Sequence, residues 1–122
     1  MAHIQFAHAE TIIPLYTAFG LFNDTIPLKA ADFGSNSNRL FQTSKIVPMS
    51  ANMGIGLYQC EASEFDPEEM YVVRLFVNEE PVVIPACGKD ICKYSDFVKH
   101  YEKFVDCNYS DICENKKEHD EL

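Results

Sequence analysis

The chain has 122 residues, 47% of them hydrophobic, which is length and apolar content enough for one globular domain with its own core. A net charge of −9 and a pI near 4.7 set a repulsive mean field against polyanions, excluding DNA and RNA as default partners and disfavouring anionic membranes. No run of about 18 apolar residues occurs, so no membrane span is expected.

From the amino terminus, the apolar run at residues 4–7 reads as a buried strand that leads straight into His8-Ala9-Glu10-Thr11. The next stretch reads as helix. Ile12, Ile13, Leu15, Tyr16, Phe19, Leu21 and Phe22 are too continuously apolar to face solvent, and Pro14 fits only near a first turn. Gly20 and Asn23-Asp24 end that helix. Residues 29–46, with Gly34-Ser35-Asn36-Ser37-Asn38, read as an irregular surface connection.

Beyond Pro48 the pattern turns to strand: residues 53–60 are one candidate and 71–77, rich in β-branched and aromatic side chains, a second. Asn78-Glu79-Glu80 turns the chain and 81–85 returns as a hairpin strand, its prolines at the ends suiting an edge. The last element is a helix capped by Ser95 or Asp96, with Phe97, Val98, Tyr101, Phe104 and Val105 at helical spacing on the face that covers the sheet. The expected class is α/β, with a folded unit over 1–113 and a charged tail over 114–122 too poor in apolar residues to fold.

The terminal His119-Asp120-Glu121-Leu122 matches the receptor-read retention signal of the endoplasmic reticulum lumen, implying that location and a retention-receptor partner. Such an address works only after entry, yet residues 1–6 lack the basic and apolar regions of a signal peptide, so the entry signal is expected elsewhere. Asn23-Asp24-Thr25 and Asn108-Tyr109-Ser110 are glycosylation acceptors that agree with a luminal address. All five cysteines lie from Cys60 onward, and the spacing predicts Cys87 paired with Cys92 and Cys107 with Cys113. Zinc is the competing use of those four, but structural zinc favours two-residue knuckles, which neither spacing provides. Cys60, in an apolar run, reads as a buried thiol, either reduced or bonded to a part of the protein beyond this sequence.

His8-Ala9-Glu10 stands where a strand hands over to a helix, close to backbone N–H groups that attract anions. A histidine two residues before a glutamate can offer a donor to a phosphoryl oxygen and a proton to a leaving alkoxide. A bare His-x-Glu is more often just a helix start with a favourable acid in its first turn.

The surrounding residues carry more. HAETIIPLYTAFGLF resembles the second catalytic motif of the histidine acid phosphatases in their multiple inositol polyphosphate phosphatase form. NRLFQTSKIVPMSANMGIGLYQCE, YVVRLFVNEEPVVIPACG, the DFVKHYEKFVDC helix and the retention tetrapeptide follow in that family's order. The resemblance implies the later part of a mixed-sheet α/β domain and a phosphorylated small-molecule substrate: an inositol polyphosphate such as phytate and, by analogy, bisphosphoglycerate. It implies that His8 contacts the phosphoryl group, that Glu10 protonates the leaving oxygen, and that a phosphohistidine forms without metal or other cofactor.

The family's nucleophile motif, R-H-G-x-R-x-P, does not occur in these 122 residues. His3, His100 and His119 are not followed by glycine, and Arg39 and Arg74 are the only arginines, too few for a polyphosphate pocket. Nucleophile and basic pocket are therefore expected in another portion of the enzyme, with this chain inactive alone. A catalytically inert luminal relative that binds a phosphorylated ligand or a protein is the alternative, and a disulfide-stapled binding module a more distant one.

Overall fold

The computed structural model describes residues 1–32, 34–61, 70–108, 110 and 113. Its elements are helices α1 (Ala9–Ala18), α2 (Thr43–Ile46) and α3 (Tyr94–Tyr101), with strands β1 (Met53–Gln59), β2 (Tyr71–Val77), β3 (Glu80–Val82) and β4 (Cys92–Lys93). Helices against an antiparallel sheet make this the expected α/β class, and every strand pairing among the described residues is antiparallel.

β2 is the central strand. β1 pairs with it along its full length, from Met53 opposite Val77 to Gln59 opposite Tyr71. On the other side, β3 pairs with the carboxyl end of β2 and β4 with its amino end, Val73 lying opposite Cys92. Strand alternation puts Val73, Leu75 and Val77 on one face and Val72, Arg74 and Phe76 on the other. The first face meets the helices in two adjoining apolar clusters. Tyr16, Leu21, Ile46 and Val77 form one; Leu75, Ile84 and Cys92 form the second, with Phe97 and Tyr101 of α3 packed on it. Leu75 and Ile84 are fully buried, each contributing roughly 1.5–3 kcal/mol of transfer free energy.

The β2–β3 connection is tighter than the three-residue turn expected from sequence. Asn78 (φ +50°) and Glu79 (φ +71°) form it alone, and Glu80 already pairs with Val77. Left-handed backbone at both central residues is the turn that matches strand twist. Asn78 tolerates it and also links three segments. Its side-chain oxygen accepts from the Asn52 N–H at 3.1 Å, and its amide nitrogen lies 3.3 Å from the carbonyls of Lys45 and Ile46, the last residues of α2. It thereby satisfies carbonyls that a helix end leaves without partners.

Four expectations fail. Residues 4–7 form no strand, and Ile4 and Phe6 are exposed, because nothing among the described residues pairs with them or covers them. α1 begins at Ala9, which places Pro14 in its second turn rather than its first and leaves the Glu10 carbonyl without the usual i+4 N–H. The connection over 29–46 is less irregular than expected, holding a 3₁₀ turn (Ala30–Asp32) and α2. α3 starts at Tyr94 with Lys93 at its cap position, so Ser95 and Asp96 lie inside the first turn. Only Phe97 and Tyr101 of its predicted face pack inward. The helix gives way to a 3₁₀ turn (Glu102–Phe104), whose tighter winding rotates the stripe and leaves Phe104 and Val105 exposed.

Candidate active site

α1 ends at Ala18, short of Leu21 and Phe22, which the sequence pattern placed in the helix, and Gly20 closes it. Gly20 adopts φ +75°, its N–H bonds the Thr17 carbonyl at 2.9 Å, and the Leu21 N–H reaches back to the Tyr16 carbonyl at 2.9 Å. This is the left-handed closure that satisfies the last carbonyls, with Leu21 and Tyr16 packed together in the core beneath it. Tyr16, 1% exposed, also directs its hydroxyl to the Asn52 carbonyl at 3.4 Å. The carboxyl half of α1 is thus fixed to the body of the molecule.

The first residues of α1 are exposed, while Ile12 already packs against that body. His8 is the cap residue, in extended conformation (φ −96°, ψ 169°), and its carbonyl accepts from the N–H groups of Thr11 (3.0 Å) and Ile12 (3.2 Å). Its side chain does not cap the helix, so the imidazole remains available. The Ala9 and Glu10 N–H groups make no backbone hydrogen bond among the described residues, and Glu10 is an acid in the first turn of a ten-residue helix. His8, Glu10 and two N–H groups without backbone partners therefore share one helix start, the end of a helix whose dipole favours an anion. His8 and Glu10 are both exposed. The grooves among the described residues lie elsewhere, one against α3 by Asp96, Lys99 and His100, the other beside the carboxyl end of α1 near Asn23 and Asp24.

Both arginines are engaged within the fold. Arg39 donates from Nε to the Phe41 carbonyl at 2.7 Å, and Arg74 pairs with Asp90 at 2.8 Å across the opposite sheet face. Asp24 braces the long connection: its carboxylate accepts from the N–H groups of Leu40 (2.7 Å) and Phe41 (2.9 Å). The Phe41 and Leu40 hydrogen bonds, with Arg39 nearby, hold its carboxyl below the ordinary range. Sequence reasoning did not single out this clamp, whose partners lie 16 and 17 residues away.

Cys87 and Cys92 are disulfide-bonded, their Cα atoms 5.6 Å apart, and the Ile84–Lys89 bridge lies across that loop. The expected Cys107–Cys113 bond is not formed; both are free, exposed thiols. No described strand pairing or core contact brings those two together, so short separation alone did not close the loop. Cys60 is free and half-buried at the end of β1. Asn23 and Asn108 are both exposed, while Tyr109 and the retention tetrapeptide 119–122 lie outside the described residues. No described helix is long and apolar enough to cross a membrane.

Residues 2–78, spanning the His8-Ala9-Glu10 helix start and the first two strands, match the model of the histidine phosphatase superfamily (branch 2), and the chain belongs to that family. Multiple inositol polyphosphate phosphatase 1 of Gallus gallus is 33% identical over 115 residues, which cover 93% of this chain and 25% of that protein. The Homo sapiens protein of the same name is 33% identical over 112 residues (91% and 23%), and Phytase A of Aspergillus fumigatus is 31% identical over 101 residues (80% and 21%). The chain spans about a quarter or less of the length of these relatives. No solved structure matches it.

Proposed function

We propose that this chain is the proton-donor portion of a phosphomonoesterase acting on inositol polyphosphates, phytate among them and, by analogy, bisphosphoglycerate. The observation that carries the proposal is the start of α1, where His8, Glu10 and two N–H groups without backbone partners share one exposed helix end within the family-matched segment. A histidine nitrogen from the portion of the relatives' length that this chain does not span attacks phosphorus. His8 donates to a phosphoryl oxygen, and Glu10 gives its proton to the departing alkoxide as the P–O bond breaks. Water then attacks the phosphohistidine, returning its proton to the Glu10 carboxylate and releasing inorganic phosphate. The basic groups that gather a polyphosphate belong to that same other portion, since Arg39 and Arg74 are engaged elsewhere. The compartment proposed is the endoplasmic reticulum lumen, on the terminal His119-Asp120-Glu121-Leu122, the exposed Asn23 and Asn108 acceptors and the Cys87–Cys92 bond.

The test is a chimera in which this chain replaces the matching segment of the Gallus gallus relative, assayed for phosphate release from inositol hexakisphosphate and from nitrophenyl phosphate. An inositol alkoxide needs a proton on departure and nitrophenolate does not, so Glu10→Gln lowers the first reaction by about 10²–10⁴-fold and the second far less. Equal losses on both esters would make Glu10 an orienting group and sink the assignment. Full turnover by the 122-residue chain alone refutes the division of labour proposed here.

A further inference from the structure

The helix that presents His8 and Glu10 is supported unevenly. Residues 8–11 are exposed, Ile12 and Ile13 are half-buried, and burial is complete at Tyr16 and again at Leu21. Glu10 precedes Phe19, the carboxyl cap residue, by nine residues, which at 1.5 Å per residue is an arm of about 14 Å.

α3 adds a second hold on the far end of that arm, beside the cluster that buries Tyr16 and Leu21. The Tyr101 hydroxyl donates to the Phe19 carbonyl at 3.0 Å. The Phe19 ring lies 5.0 Å from the Tyr101 ring, edge to face, and 6.0 Å from the stacked Phe97 ring, with Phe97 and Tyr101 themselves 4.9 Å apart. Ala86, the residue before the Cys87–Cys92 loop, packs in the same apolar cluster as Tyr101, where its backbone amide acts to lower the phenol pKa. Burial nonetheless keeps the phenol pKa above its ordinary value, so the hydroxyl remains a donor at neutral pH. Tyr101 lies beyond residues 2–78, the family-matched segment, so this hold on the helix comes from outside it.

We propose that Tyr101 is a positioning residue for Glu10: by pinning the Phe19 carbonyl to α3, it fixes the direction in which α1 presents its amino end. The inference rests on the phosphomonoesterase reading for its consequence, though not for its geometry. A tilt of only about 5° at Phe19 moves the far end of a 14 Å arm by about 1 Å. A misplacement of that size costs a reaction up to about 10²-fold.

Two measurements decide it. In the 122-residue chain, amide residual dipolar couplings of residues 9–18 report the orientation of α1 against β2. Tyr101→Phe, which removes the hydroxyl and keeps the ring, is expected to rotate α1 as a unit, whereas Tyr94→Phe, on an exposed position of the same helix, leaves it in place. Unchanged couplings in Tyr101→Phe overturn the proposal whatever the enzyme does. In the chimera, Tyr101→Phe is expected to lower kcat on inositol hexakisphosphate by about 10–100-fold with KM little changed, and to affect nitrophenyl phosphate much less. A merely structural role lowers both substrates together by depleting folded enzyme, and that result also overturns the proposal. Should the unmutated chimera turn over neither ester, the functional reading falls while the couplings still decide whether Tyr101 sets the helix.

Discussion

Asn78 gives the sharpest test of how this small fold coheres, because its turn conformation and its side-chain bonds can be removed separately. Asn78→Gly keeps the positive φ at no steric cost but deletes the acceptor for Asn52 and the amide shared between the Lys45 and Ile46 carbonyls. Counting the shared 3.3 Å contacts as one hydrogen bond and the 3.1 Å contact as another, at about 1 kcal/mol each, the expected loss is about 2 kcal/mol. Asn78→Ala loses the same bonds and adds left-handed strain of about 1 kcal/mol, for about 3 kcal/mol in total. The backbone bond from the Asn78 N–H to the Asn52 carbonyl, 2.9 Å, survives in both variants, so the hairpin still forms. Urea denaturation of the 122-residue chain, followed by circular dichroism, measures all three. A glycine variant as stable as the parent refutes the side-chain contribution, and coincident glycine and alanine variants refute the strain.

Glu79, at φ +71°, occupies the position where glycine is preferred, so Glu79→Gly is expected to stabilise the chain by about 1 kcal/mol in the same denaturation assay. Asp24 has a folded-state pKa below its ordinary value, so its contribution is present above the ordinary carboxylate range and is lost as pH falls through the folded value. Hydrogen exchange at Leu40 and Phe41 should therefore accelerate below roughly pH 4, and the pH step should vanish in Asp24→Asn, whose protection is already low. Reduction of Cys87–Cys92 opens a loop of sequence separation 5 and should cost about 2 kcal/mol, read as a lower urea midpoint with dithiothreitol.

Much of the sheet was legible because its signals are local. Tyr71 to Val77 carries β-branched and aromatic side chains throughout, and Gly20 stops α1 by a conformation that few other residues adopt. Residues 4–7 misled because an apolar run identifies a strand only if a neighbour pairs with it, and that information is not in the run. The start of α3 was misplaced because Lys93 does not cap its helix with a side chain, leaving no signature to read. At the candidate site the sequence pointed to His8 and Glu10 through their motif. It could not point to Tyr101, whose bond to Phe19 spans 82 residues, because no periodicity within one helix specifies which distant carbonyl a hydroxyl will meet.

Among the described residues β1 ends the sheet with seven uncharged residues, two of them glycines, and with Ile55 and Leu57 more than half exposed on the face whose β2 counterparts are buried. Natural edges are usually blunted by lysine, proline or a bulge, and this strand has none of the three residue-level or backbone defences. Its outer row of amides and carbonyls is a template whose period-two apolar face selects the register of whatever strand is laid against it. In concentrated solution that selectivity is expected to extend to other copies of the same strand, with dilution or Leu57→Lys expected to keep the chain monomeric.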